Sequence, residues 1–145
     1  MVELSREFFS TQPRVWWNDG LSPQAPVLAA EPNLADAKHL VQCFGRLRQP
    51  VRLAMSPADI IDLLRREAFG RAIVATEMTL DGEPILARLA RLPTLQRVVA
   101  TGPGGDPALE VRARLAGAHV YLPRPVDLED LARALAIPGF ARTRA

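Results

Sequence analysis

Beyond residue 26 the chain alternates between two hydrophobic patterns: short runs that are almost wholly apolar, and longer stretches in which apolar residues recur at helical spacing. Such short, mainly apolar runs read as strands buried on both faces. They occupy Val27–Glu31, Val51–Met55, Ala72–Thr76, Gln96–Thr101 and His119–Leu122. The stretches between them carry helix punctuation. Asn33 caps a helix running to about Phe44, with Gly45 as its stop. Ser56-Pro57 supplies an N-cap hydroxyl and a proline at the first helical position. Ile60, Ile61, Leu63 and Leu64 form that helix's apolar face, and Gly70 closes it. Asp81-Gly82 marks a turn before a third helix through Ile85, Leu86 and Leu89. Gly102-Pro103-Gly104-Gly105 reads as a flexible loop. Asp106-Pro107 opens a fourth helix that ends at Gly117. Asp127 caps the last helix, with Leu128, Leu131 and Leu135 facing inward and Pro138-Gly139 ending it.

Strict alternation of strand and helix predicts a parallel sheet with helices on both faces. Five such units suit a doubly wound α/β fold with the flavodoxin-like strand order 2-1-3-4-5. Function in such sheets gathers at the carboxyl ends of the strands. That edge is expected at Glu31-Pro32, Thr76-Glu77, Thr101-Gly102 and Arg124-Pro125. Residues 1–26 lack a sustained period and read as an irregular N-terminal arm, with a short helix over Leu4–Phe9. The domain then spans 27–137, and 138–145 forms a basic tail.

Composition narrows the class. A chain of 145 residues fits one domain that can bury a core without covalent staples. Its 48% hydrophobic and 23% charged residues are those of a soluble globular protein. No apolar run approaches the ~20 residues of a membrane span. The first residues lack the layout of a signal peptide. The single cysteine, Cys43, forms no internal disulfide and reads as a helix core residue, so a cytoplasmic setting is expected. The net charge is +2, and seventeen of the eighteen basic residues are arginines spread along the chain. A nucleic-acid surface is not expected from charge of that kind.

The C-terminal third resembles the receiver domain of two-component response regulators. Ala116-Gly117-Ala118, Tyr121 and Arg124-Pro125 fill the places of that family's Ala-Gly-Ala turn, aromatic switch residue and Lys-Pro pair, with arginine for lysine. Thr101 matches its strand-end hydroxyl. The resemblance covers about Val27 to Ala136 and implies a cis bond between Arg124 and Pro125. The family's two acidic residues after the first strand are represented by Glu31 and then Pro32, so one carboxylate is missing. Its phospho-accepting aspartate falls, 45 positions after Glu31, on Thr76. Neither Val74 nor Ala75 beside it is an acid. If Thr76 faces the pocket, period-two alternation sends Glu77 to the opposite side, unless the following loop bends it back.

Phosphoryl transfer to a carboxylate needs a nucleophilic oxygen, a neutralising cation and a positioned positive group. Threonine is a poor nucleophile without an adjacent base, and one carboxylate is a meagre magnesium site. The resemblance therefore implies a degenerate pocket of Glu31, Pro32, Thr76, Thr101 and Arg124, with Tyr121 as the switch aromatic. We expect Arg124 to pair with Glu31 and hold one state. No catalytic residue, metal or cofactor is expected, and the chain reads as a non-enzyme. Gly102–Gly105 lacks the Lys-Ser/Thr ending of a phosphate loop. His39 and His119 have no second ligand at metal-binding spacing.

The functional expectation is a stand-alone pseudo-receiver, a phosphorylation-independent interaction module in bacterial regulation. Its partners would be proteins, such as a histidine kinase or regulatory protein, or a second copy through the fourth helix, fifth strand and fifth helix. Arg112, Arg114, Asp127, Glu129 and Asp130 put charges of both signs on that face. Trp16 and Trp17 in the arm either pack back on the domain or anchor a partner, and the sequence leaves both open. Alternatives are modification at Thr76, or a nucleic-acid role for the tail.

Overall fold

The computed structural model describes residues 25–137. The arm with Trp16 and Trp17, the short helix expected over Leu4–Phe9, and the tail from Pro138 lie outside them. Among the described residues, seven strands and five helices follow in order: β1 (Val27–Ala30), α1 (Leu34–Arg46), β2 (Val51–Ala54), α2 (Pro57–Arg66), β3 (Arg71–Ala75), β4 (Thr79–Leu80), β5 (Glu83–Pro84), α3 (Ile85–Leu89), β6 (Arg97–Gly102), α4 (Pro107–Ala116), β7 (Val120–Pro123) and α5 (Leu128–Ala134). The main sheet runs β2-β1-β3-β6-β7, all parallel. This is the expected 2-1-3-4-5 order, counted over its five strands.

Alternation along the strands sorts the core into two layers. Leu28, Ala72, Val74, Val98 and Ala100 face α2, α3 and α4, through Ile60, Leu64, Ile85, Leu89 and Ala113. Val27, Ala29, Ile73 and Val99 face α1 and α5, through Leu40, Phe44, Leu131 and Leu135. Four helix starts carry the expected caps: the side chains of Asn33, Ser56, Asp106 and Asp127 accept from the N–H groups of Asp36, Asp59, Ala108 and Asp130. Each cap contributes about 1 kcal/mol.

Two helix stops fall elsewhere than the glycines suggest. Gly45 lies inside α1, which runs on to Arg46. The turn is made by Arg48 at φ 56°. Its N–H and that of Gln49 reach back to the carbonyls of Gly45 and Phe44, at 3.1 and 3.0 Å. This double bond pattern satisfies the helix end whichever residue takes the left-handed position. Likewise α2 ends at Arg66, because Glu67 turns extended and pairs with Arg52 at 2.8 Å. Gly70 instead leads into β3, and its carbonyl accepts from Gln96 and Arg97.

The turn at Asp81-Gly82 closes a miniature antiparallel hairpin, β4–β5. Both residues have positive φ, 55° and 77°, as a two-residue primed turn requires. Among the described residues no helix is long and apolar enough to cross a membrane.

Candidate functional site

The carboxyl ends of β1, β3, β6 and β7 bring together Glu31, Thr76, Thr101 and Arg124. Backbone hydrogen bonds stitch these ends to one another. Glu31 N–H donates to Ala54 O, Thr76 N–H to Thr101 O, and Arg124 N–H to Gly102 O, at 2.9, 2.9 and 3.0 Å. The Arg124–Pro125 bond is cis, as the resemblance implied.

Arg124 is the centre of charge at this edge. Its guanidinium donates to Glu31 Oε1 at 3.4 Å and to Glu77 Oε1 at 2.9 Å. A second, closer contact joins Nη2 to Glu77 Oε2. Asp36 stands 3.9 Å from Nε. The pairing with Glu31 was expected, but the tighter partner is Glu77. Period-two alternation fails there because β3 ends at Ala75 and the chain turns, Met78 N–H donating to Ala75 O at 3.2 Å. The turn carries Glu77 back across the edge.

Electrostatics follow this geometry. Hydrogen bonding to Arg124 holds Glu77 below the usual carboxylate range. The carboxylates, Glu77 foremost, push Arg124 up. Glu31 goes the other way. Its side chain is 1% exposed, and burial raises its pKa despite the N–H of Asn33 at 3.1 Å and the attraction of Arg124.

The remaining predicted residues fall around this cluster. Pro32 is exposed and offers no carboxylate. Thr101 is buried, and among the described residues its hydroxyl has no hydrogen-bond partner. Tyr121 is turned inward at 8% exposure, and its hydroxyl donates to Pro103 O at 2.6 Å. Burial raises its pKa. Thr76, half-buried, shares with Tyr121 the space above Gly102. A Cβ on Gly102 would stand 2.4 Å from the tyrosine oxygen and 2.8 Å from Thr76 Oγ1. Gly102, read from sequence as flexible loop, is the last residue of β6 and is buried. Its pairing with Pro123 and its bond to Arg124 fix it there. A glycine directly after a strand-end threonine was the available signal.

This donor set does not fit magnesium. That ion holds octahedral oxygen ligands and usually keeps several waters. Here the three carboxylates already face a guanidinium. The space among Glu31, Asp36, His39, Thr101, Arg124 and Val126 admits no water molecule. His39 Nε2 lies 2.6 Å from Val126 O and 3.6 Å from Cys43 Sγ.

The mixed-charge face expected on α4, β7 and α5 is largely satisfied internally. Arg114 pairs with Glu110 at 3.1 Å and also donates to His119 O. Glu129 and Asp130 both meet Arg133, and Asp127 is the α5 cap. Arg112 reaches the carbonyl of Ala108 in its own helix. Beside its exposed arginines, α4 also presents large apolar side chains outward: Val111 is 55% exposed and Leu115 81%. Their one-turn spacing was visible in the sequence, but their exposure depends on how α4 docks.

No protein-family model matches the chain, and no curated protein matches it significantly. Solved structures do match. A two-component response regulator from Clostridium difficile superposes with a TM-score of 0.67 at 16% identity, over 84% of this chain and 100% of the other. A response regulator from Burkholderia pseudomallei, solved with a phosphorylated aspartic acid, calcium and citrate, gives 0.64 at 23%, over 83% and 72%. The receiver domain of the Saccharomyces cerevisiae response regulator Ssk1, solved with the histidine phosphotransfer protein Ypd1, gives 0.64 at 15%, over 79% and 88%. The chain has the receiver fold. Within this receiver fold, Glu31, Thr76, Thr101 and Arg124 occupy the carboxyl edge of the sheet, the place where doubly wound folds carry their sites.

Proposed function

We propose that this chain is a pseudo-receiver: a cytoplasmic, non-enzymatic module of two-component-type regulation that binds protein partners without being phosphorylated. The observation that carries the reading is the seat of Arg124. A guanidinium stands among Glu31, Asp36 and Glu77, supplying from within the chain the positive charge that a metal ion would otherwise bring to these carboxylates. Thr76 adds a hydroxyl where a carboxylate nucleophile would be needed, and among the described residues no carboxylate or histidine is hydrogen-bonded to it as a base.

Two further features agree. Tyr121 is already turned inward and tied to Pro103 O, so its position depends on no added ligand. The exposed Val111 and Leu115 give α4 an apolar contact surface of the sort protein partners cover. The yeast receiver solved with a phosphotransfer protein makes a protein of that class, or a histidine kinase, a natural first partner to test.

The deciding experiment is incubation with acetyl phosphate and magnesium, read by intact mass. The unmodified mass is expected. A stoichiometric acid-labile adduct would overturn the reading. Conversion by a serine/threonine kinase to a Thr76 phosphoprotein would replace it with control by modification at that hydroxyl.

A further inference from the structure

On the opposite side of the fold, α1 and the edge strand β2 leave an apolar groove. Leu34, Ala37, Val41 and Leu53 line it with the stems of Lys38 and Gln42, and it offers almost no polar surface. Leu34 is 58% exposed and Val41 41%, large values for side chains one heptad apart on a helix whose other faces are packed or polar. The stripe continues one turn further through Gly45, where an added Cβ would meet nothing within 4 Å. That leaves a clear path from the groove to the lower end of α1.

The described chain begins at the foot of that path. The carbonyl of Ala25 accepts from Gln49 Nε2 at 2.9 Å, just past the end of α1, and from Arg71 at 3.1 Å. Twenty-four residues precede it, and they hold both tryptophans of the chain, Trp16 and Trp17, with Asp19 close behind. The eight residues from Trp17 to Ala25 reach up to about 26 Å. Leu53 lies two residues along β2 from Val51, which is level with Val27, so about 7 Å away. Val41 is one helical turn above Gly45, about 6 Å.

We infer that the α1/β2 groove is the seat of the chain's own N-terminal segment, with the Trp16-Trp17 pair laid along Leu34, Val41 and Leu53 and Asp19 facing Lys38. Tryptophan suits the site because a flat ring covers a helix stripe with few torsions to fix. The groove's rim supplies one cation, and the segment supplies an acid two residues from the rings. The segment thereby covers the apolar side of α1 and leaves the α4 side of the fold open to partners.

The composition provides its own probes. Trp16 and Trp17 are the only tryptophans and Lys38 the only lysine. Tryptophan emission from the full chain is expected to be blue-shifted and poorly quenched by acrylamide, independently of protein concentration. Val41→Glu and Leu34→Glu should each shift it to the red and raise the quenching constant several-fold, with an unchanged far-ultraviolet spectrum. Leu115→Glu, on α4, should leave it alone. Carbodiimide treatment of the unmutated chain should link Lys38 to a carboxylate of residues 1–24 within one molecule. Emission already at the position of free tryptophan overturns the inference. So does emission unmoved by Val41→Glu, a red shift from Leu115→Glu of equal size, or links that form only between molecules, the last of these pointing to a second copy in the groove.

Discussion

Replacing Arg124 with methionine keeps its stem and removes its charge, which isolates what the guanidinium does for Glu31. Removing one member of a buried ion pair typically costs about 3–5 kcal/mol, because the other charge is left unpaired. Two features lower that figure here. Arg124 stands 3.4 Å from Glu31, long for a charge-assisted hydrogen bond. Burial also raises the pKa of Glu31, so uptake of a proton is an accessible alternative to an orphaned carboxylate. The Glu77 side chain is 45% exposed, and after solvent screening its share is under about 1 kcal/mol. Together these give a loss of about 2–3 kcal/mol at pH 8.

The pH dependence tests the cause. Glu31 has a folded pKa above its unfolded value of about 4.3. A group raised in this way contributes its full stability below the unfolded value and loses it as pH climbs through the folded one. Without Arg124 the folded pKa rises further, so the variant loses more than the parent as pH increases. Glu77 is depressed in the parent, and its contribution is complete at both pH 5 and pH 8, so it drops out of the comparison. The deficit of Arg124→Met should therefore be about 1 kcal/mol smaller at pH 5 than at pH 8. Urea denaturation at both values, repeated in a Glu31→Gln background, is the assay. In that background the deficit should shrink and lose its pH dependence. An equal deficit at the two pH values, or one unchanged by Glu31→Gln, would refute the account of Arg124 as the counter-charge of a buried acid.

Three further outcomes follow from the same edge. Glu77→Gln should cost up to about 1 kcal/mol at pH 7, a screened value, and the difference from the parent should shrink and vanish as pH falls through the depressed folded pKa of Glu77, as urea titrations at descending pH would show. Thr101→Val removes a buried hydroxyl that has no partner among the described residues while keeping its shape, and should raise stability by about 1 kcal/mol in the same assay. Gly102→Ala places a Cβ 2.4 Å from the Tyr121 oxygen. It should displace the ring, cost about 2 kcal/mol, and expose the chain's single tyrosine to second-derivative absorbance.

The fold was legible because its signals are redundant. The central strands are apolar through their middles, and four helix starts carry a capping side chain one residue ahead. Glycine was the misleading letter. Gly45 and Gly70 look like stops, yet Arg48 takes the left-handed φ and Gly70 opens a strand. A double hydrogen-bond cap can outweigh the roughly 1 kcal/mol that a side chain costs in that conformation. The two-residue strands β4 and β5 were invisible beyond their turn, because a single ladder step has no period to detect.

The site was legible in its members but not in its wiring. Glu31, Thr76, Thr101 and Arg124 all end or follow strands, so topology alone gathers them. Period-two alternation holds only along the strand, and Glu77 stands two residues past its end. Once β3 stops at Ala75, side-chain direction is set by the turn, and the turn returns an acid to Arg124. This changes what the substitution of arginine for lysine achieves. A lysine ammonium is one point of charge, whereas the planar guanidinium holds Glu77 through both of its oxygens while a terminal nitrogen still reaches Glu31. One side chain thus joins the ends of β1, β3 and β7. Arg124→Lys should release that brace while conserving the charge, read as a lower urea midpoint than the parent's at pH 7.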